Sequence, residues 1–497
     1  MLKHRLSRVL NGPSVDSFLL LFVRVITLFL GIITTRVLSQ ELSVADYGTY
    51  SEITLLITTL SSLTIFGMTD ACNYFYCQQQ DTEDRNEYIS TIFSLQYIIS
   101  AVSGILILSC TVPLTRYFNN EDIKKLVVFA ALQPLLQNLI NMLQVLFISI
   151  GKAKAIAVRN FLVSAFRLGA FSAICYCFNN NLQLIFLSTL ILDLAQAVYF
   201  GVILHKNGCR ILLKKTNFGL LRRILSYCAP MAMFVITNSL CRDLDKYVVA
   251  AFTDTETLAI FSNAAKMLPF DMVAISFVTV LIPYITRYVA AEQFENARRL
   301  HRNFLELAYV STIILAGAAL AAAPQLLEFL YTEKYKGGLP VFVLYLLVDI
   351  LRFTNITLVL SACGKTKELF YIAIGTLSAN LILNILLFHL LGIVGPALAT
   401  VIVTLASGVL MLWRSAKALH CHLSDLFNGR FLLLFVIEAL ICLGGATLLR
   451  LWLQSQNVPY FAILLITGGA YGGIMLLLNL KRLLGNIRTI NQNKLAL

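Results

Sequence analysis

Charge is scarce in this chain. Only 13% of its 497 residues are Asp, Glu, Lys or Arg, against about a quarter in a soluble domain. A soluble enzyme is excluded on that ground, and so is a nucleic-acid module, because a formal net charge of +13 without a basic soluble face leaves no footprint for a nucleic acid. The sequence also lacks a glycine-rich phosphate loop, a nucleophile elbow and an HExxH pair, so ATP-driven transport and hydrolysis by this chain are not expected. A membrane glycosyltransferase or polymerase would need a large extramembrane loop with paired carboxylates; the outside loops are short. The 11 cysteines are scattered without metal-type spacing and read as small apolar residues. Their tight groups, Cys175 with Cys177 and His420-Cys421-His422, fall at the ends of apolar runs. No metal and no cofactor are expected.

What is present is hydrophobic: 58% of the residues are apolar. Crossing a hydrocarbon core of ~30 Å takes about 20 residues. Runs of that length occupy approximately 15–38, 47–69, 89–112, 125–149, 156–178, 182–204, 225–251, 259–284, 304–327, 339–363, 368–389, 393–414, 431–453 and 459–480. The fold class is therefore an all-α polytopic membrane protein with about 14 transmembrane helices. With Lys3, Arg5 and Arg8 inside, most Lys and Arg fall on cytoplasmic segments, above all Lys206, Arg210, Lys214, Lys215, Arg222 and Arg223. Both termini are then cytoplasmic. The first span is too long for a signal-peptide core and reads as a retained helix.

The chain repeats itself. Val112-Pro113 and Tyr117-Phe118 return as Ala323-Pro324 and Phe329-Leu330, Gly151-Lys152 as Gly364-Lys365, and Tyr50-Ser51 as Phe261-Ser262, each 211 to 213 residues downstream. Two homologous six-helix lobes follow, 1–205 and 225–417, joined by a basic connector, 206–224, with an unrepeated helix pair and tail in 418–497. Transporters are often built this way, with the substrate between the repeats. Segments 214–227 and 287–303 are amphipathic; the first could lie flat at the interface or form a plain basic loop, and the second presents its charges to water.

Charges inside spans are costly, about 2.5–3.5 kcal/mol on insertion scales, so each needs a partner or a watery cavity. Arg24 and Arg36 lie in span one, and Arg159 and Arg167 could line one surface of span five. In span seven Arg242 with Asp245, and Asp243 with Lys246, are i,i+3 neighbours able to neutralise one another, as are Asp349 and Arg352 in span ten. Asp193, Lys266, Asp271, Glu306 and Glu438 have no local partner and must pair across helices, protonate or face water. Asp193 and Glu306 are the better ion-coupling candidates. Pro134, Pro230, Pro269, Pro283 and Pro396 bend their spans, and Asn138, Asn141, Asn238, Asn263, Asn380 and Asn384 place amides at bundle depth, where they glue helices or contact sugars.

Residues 220–267 carry a resemblance. A basic lead, Ala229-Pro230 opening a helix, Asp245 followed by Lys246, then Leu258-Ala259-Ile260-Phe261-Ser262 and Ala265-Lys266 resemble the seventh and eighth helices of O-antigen (Wzx-type) flippases. These are polysaccharide exporters of the multidrug/oligosaccharidyl-lipid/polysaccharide (MOP) superfamily. Arg36-Val37-Leu38, Asp46-Tyr47-Gly48-Thr49-Tyr50 and Gly151-Lys152 extend the likeness over almost the whole chain. The resemblance implies a bacterial inner-membrane flippase for an oligosaccharide linked to undecaprenyl pyrophosphate, the unit of O-antigen in lipopolysaccharide or of another surface polysaccharide. It alternates between inward-open and outward-open forms and is reset by an H+ or Na+ gradient. Its partners are the lipid-linked substrate, membrane lipids and the polysaccharide polymerase and assembly proteins. On this chain the roles fall to Arg24, Arg167, Arg242, Lys246 and Lys266 for the pyrophosphate and glycan, and to Asp193, Asp245 and Glu306 for the ion. A lipid II flippase, with fourteen helices and a basic cavity, and a cation-coupled multidrug exporter, with about twelve and an acidic one, are the alternatives.

Overall fold

The computed structural model describes residues 13–78, 82–149, 153–207, 216–270, 284–289 and 291–495, with single positions 211, 274 and 281. Among them the chain is helical and has no strand, as hydrocarbon demands, since a helix satisfies its own backbone groups. In order the helices are α1 (Pro13–Glu41), α2 (Val44–Thr64), α3 (Met68–Gln78), α4 (Thr82–Ser109), α5 (Thr111–Phe118), α6 (Ile123–Ser149), α7 (Ala153–Cys177), α8 (Leu182–Lys206), α9 (Leu221–Phe252) and α10 (Thr255–Ala264). They continue as α11 (Phe294–Ala321), α12 (Ala323–Tyr331), α13 (Leu339–Leu351), α14 (Leu358–Ala362), α15 (Thr366–Leu391), α16 (Val394–Ala418), α17 (Gly429–Ser455) and α18 (Tyr460–Leu495). Two compact units result: Met1–Asp243 with Ala250–Ala259, and Leu244–Val249 with Ile260–Leu497.

The repeat is visible in the helix starts. Helices begin at 82, 111, 153 and 182 in the first unit and at 294, 323, 366 and 394 in the second, 212 or 213 residues later. Packing recurs with them: α4 on α6, α6 on α8 and α7 on α8 in one unit, α11 on α13, α13 on α16 and α15 on α16 in the other. Ten helical stretches among the described residues are long and apolar enough to span a membrane, and the α2–α3 pair, bent by 46°, would add an eleventh. The expectation was fourteen. The ten do not include α1 or α9, each of which has stretches outside the described side chains, and most of 271–283 lies outside them altogether.

Large apolar side chains face outward on α17 and α18, such as Ile441 and Leu477 at 70% and 76% exposure. Such a surface suits contact with lipid. Inside the first unit, Phe75 stacks on Tyr88 with centroids 4.7 Å apart, and Phe147 meets Phe200 edge-on at 4.6 Å. They belong to a buried cluster that also holds Met68, Leu146, Leu204 and Cys228. Tyr50 of the repeated landmark stacks on Phe186.

Local chemistry sets the helix ends. Ser43 caps α2, accepting from the Asp46 N–H at 3.0 Å. Asn179 and Asn180 take the left-handed turn before α8 (φ 50° and 59°), which Asn tolerates better than most residues, and Asn181 caps the helix. Asp254 caps α10 through the Thr257 N–H at 2.7 Å. The Thr257 hydroxyl and N–H hold its carboxyl below the usual range, so this contribution is present near neutral pH and fades as pH falls through that lowered value.

Gly48, in the Asp46-Tyr47-Gly48 stretch, has a packing reason: a Cβ there would fall on the Thr255 carbonyl oxygen and its methyl. Overpacking of this kind costs about 1–3 kcal/mol. Gly48→Ala should therefore lower the unfolding temperature in detergent, and Gly48→Val should lower it further. Equal melting of all three proteins would show that the Thr255 backbone yields without cost.

Three features differ from the sequence reading. Residues 221–227 of the basic segment are the first turns of α9, preceded by a short 3-10 turn at Phe218–Leu220, so this stretch continues a long helix instead of lying as a separate surface helix; 212–215 lie outside the described residues. In segment 287–303 the charges do not all face water. Arg298 donates to the Leu419 and His420 carbonyls at 3.0 and 2.9 Å, capping the end of α16, and His301 is buried. Span ten is broken: α13 stops at Leu351, a 3-10 turn covers Arg352–Asn355, and α14 starts at Leu358.

Candidate functional site

In the first unit, three helices place a polar network inside an apolar bundle. Asp193, on the fourth turn of α8, is 4% exposed. Its Oδ2 accepts from Gln133 Nε2 of α6 at 2.5 Å, and its Oδ1 from Gln196 Nε2 at 2.9 Å. Arg167 of α7 stands with Nη2 3.8 Å from Oδ1, its side chain 39% exposed. Arg159, two turns earlier on α7, donates to Gln196 Oε1 at 2.6 Å and to Gln144 Oε1 at 2.9 Å, and lies over the Phe200 ring at 4.6 Å. The eight-residue spacing of Arg159 and Arg167 thus brings both guanidinium groups into one network, Arg167 beside the buried carboxylate and Arg159 linked to it through Gln196.

The network is incomplete. Arg159 Nε, Arg167 Nε and Gln133 Oε1 are buried with no hydrogen-bond partner among the described residues. Unmet polar atoms of this kind are costly in a bundle core, and the two guanidinium donors mark a place for water or an anion. A guanidinium shared between a carboxylate and an exposed face can transfer its bonds to phosphate oxygens, because both acceptors fit its planar fork.

The other expected site residues are placed as follows. Arg24 lies in α1, but its side chain is outside the described residues, as is Asp271. Arg242 Nε is 3.6 Å from Asp243 and its Nη2 donates to Ser239; the neighbour it meets is thus Asp243, where helical spacing suggested Asp245. Asp245 is buried, Lys246 is half-buried, and Lys266 is exposed just after α10. Glu306 of α11 is paired across helices. Its Oε1 accepts from Arg482 Nε at 2.6 Å and Asn486 Nδ2 at 3.1 Å, both on α18, while Arg482 lies over Phe431 of α17 at 3.3 Å. Asp349 meets Arg352 at 3.2 Å and also accepts the Leu268 N–H at 2.9 Å.

Sequence reasoning missed the amides. Gln133 and Gln144 carry no charge to flag them, although Gln196 sits three residues after Asp193 and could have been read as its helical neighbour. It also passed over Glu52, which is 1% exposed and accepts from Asn120 at 2.7 Å. A carboxylate among apolar residues in a span was the available signal.

Comparison with known proteins adds the family and the fold. Residues 37–340 match the family described as polysaccharide biosynthesis protein. The structure is similar to lipid II flippase MurJ in an inward closed conformation, with TM-score 0.69 and 17% identity, covering 94% of this chain and 99% of that one. It is similar to an inward-facing multidrug resistance MATE transporter of the MOP superfamily, with TM-score 0.63 and 14% identity, covering 84% and 97%. The bent form of the Vibrio cholerae MATE transporter VcmN gives TM-score 0.51 at 14% identity, covering 83% and 97%. No curated protein matches the sequence. The family match over more than half its length shows that this chain belongs to the polysaccharide biosynthesis protein family, and its all-α fold is the one shared with MurJ and the MATE transporters.

Proposed function

We propose that this protein flips an oligosaccharide linked to undecaprenyl pyrophosphate, the unit of O-antigen or another surface polysaccharide, from the inner to the outer leaflet of the bacterial cytoplasmic membrane. The observation that carries the reading is the Asp193 network: one buried carboxylate, two guanidinium groups, and two guanidinium N–H donors left unmet. With Asp193 ionised, Arg167 is held toward the carboxylate. When Asp193 takes up a proton or a sodium ion, the attraction is lost and Arg167 turns its fork to the pyrophosphate. Release of the ion on the other side of the membrane reverses the exchange. Asp193 and the pyrophosphate thus compete for one guanidinium, and the ion on Asp193 sets which of them holds it, a linkage between ion and substrate sites. Both termini lie in the cytoplasm, and the expected residues Arg24, Arg242, Lys246 and Lys266 supply further positive charge for the substrate.

Lipid II is the second reading, favoured by the likeness to MurJ over 94% of the chain. The family match, which is to polysaccharide biosynthesis, favours the oligosaccharide. A multidrug role is less favoured, since the likeness to the MATE transporters covers 84% of the chain or less.

Proteoliposomes test the coupling. Wild-type protein should move a fluorescent polyprenyl-pyrophosphate glycan faster under an imposed H+ or Na+ gradient, and Asp193→Asn should bind the lipid yet lose the gradient response. A full response in Asp193→Asn would remove this carboxylate from coupling and leave Glu52, Asp245 or Glu306 as the carrier.

A further inference from the structure

The second unit holds a polar cleft of its own. A volume of about 760 Å³ opens between the start of α11, the loop entering α17 and the end of α18, lined by Arg302, Asn303, Glu306, Arg430, Arg482 and Asn486 among others. These helix ends share one side of the membrane: α11 and α17 begin there and α18 runs out there. By its basic residues that side is cytoplasmic.

The charges in the cleft are unequal. Glu306 is the acidic residue lining it, and Arg482 already binds Glu306. Arg302 and Arg430 are exposed and make no ion pair or hydrogen bond among the described residues, so two positive charges are left over. The N-terminus of α17 adds its positive dipole end beside Arg430. Directly along the membrane from this cleft run the outward apolar faces of α17 and α18, with Leu433, Leu434 and Ile437 on one and Leu477 and Leu484 on the other. A cationic recess at headgroup depth, continuous with apolar surface below, fits a molecule with an anionic head and acyl tails.

We propose that this cleft binds the headgroup phosphate of an anionic phospholipid of the inner leaflet. Arg302 and Arg430 hold the phosphate oxygens, Asn303 and Asn486 accept or donate to the headgroup, and the tails lie along α17 and α18. The Glu306–Arg482 pair forms the floor. A lipid here ties α11 to the unrepeated helix pair.

The full-length protein in neutral detergent provides the test, with thermal unfolding and retained lipid, weighed by native mass spectrometry, as readouts. Phosphatidylglycerol should stabilise the protein and remain bound, whereas phosphatidylcholine should not. The double variant Arg302→Gln/Arg430→Gln should bind phosphatidylglycerol about tenfold more weakly, as loss of charge-assisted bonds implies, and Arg302→Lys/Arg430→Lys should keep most of the binding. Neither arginine makes an ion pair or hydrogen bond among the described residues, so the variants should elute as the wild type does.

Unchanged phosphatidylglycerol binding in the double variant overturns the site. Equal stabilisation by inorganic phosphate makes it a site for free anions and overturns the lipid assignment. Displacement of phosphatidylglycerol by undecaprenyl pyrophosphate at lower concentration makes the cleft part of the substrate path, which also overturns it. Glycan flipping is read separately, so failure here leaves the transport reading standing.

Discussion

On the proposed function, Arg167→Ala will reduce glycan export on the order of 100-fold, the scale of losing charge-assisted hydrogen bonds to the bound pyrophosphate, while the protein remains in the membrane at normal level. Two facts argue for intact folding. Asp193 keeps its hydrogen bonds from Gln133 and Gln196, and Arg159 stays anchored by Gln144 and Gln196. Two facts argue for lost transport. Arg167 is the half-open member of the network, 39% exposed, and its Nε has no hydrogen-bond partner among the described residues. Arg167→Lys keeps a charge but not the fork, so it should retain part of the activity. Export assayed as surface glycan per unit of membrane protein checks this. Full export by Arg167→Ala would show that Arg167 serves only to neutralise Asp193.

Arg352→Ala should cost about 3 kcal/mol of stability, because breaking a buried ion pair strands its partner. Asp349 is 1% exposed and Arg352 29%, which places the loss toward the lower end of the range for such pairs. The location adds to the effect. Span ten is unwound between Leu351 and Leu358, and the chain is irregular at 265–268 after α10. The pair stitches the two breaks together, Asp349 taking the Leu268 N–H at 2.9 Å and Arg352 reaching the Leu268 carbonyl at 3.5 Å. Adding Asp349→Asn should recover part of the loss, since a neutral amide needs no guanidinium and its oxygen still accepts from Leu268. Unfolding in detergent measures both. A single variant as stable as the wild type would mean that water already satisfies Asp349.

Much of the fold was legible in the sequence because hydrocarbon permits so few solutions. A run of apolar residues long enough to cross becomes a helix, and the repeat offset read from Val112-Pro113 and Gly151-Lys152 reappears in the helix starts at 294, 323, 366 and 394. The breaks were not legible. Nothing in Leu351–Leu358 is a strong helix breaker; the segment unwinds in a tertiary setting that offers Leu268 and the Asp349–Arg352 pair in place of regular bonds. The same limit applies to the site. Asp193, Arg159 and Arg167 stand out as charges in apolar spans, so their cost announces them. The identity of their partners depends on which helix faces lie together, and Gln133, Gln144 and Arg482 come from segments 15 to 176 residues away in sequence. Arg242 shows that even helical spacing leaves a choice, settled here in favour of Asp243 over Asp245.

The most direct measurement is the sidedness of lipid-linked glycan in cells lacking this protein, taken together with their sensitivity to cationic drugs. Transport of an oligosaccharide lipid predicts accumulation of that lipid on the cytoplasmic face, with drug sensitivity unchanged and export restored by the wild-type chain but not by Arg167→Ala. Normal glycan export with heightened drug sensitivity would contradict it and move the protein to the multidrug branch of the superfamily.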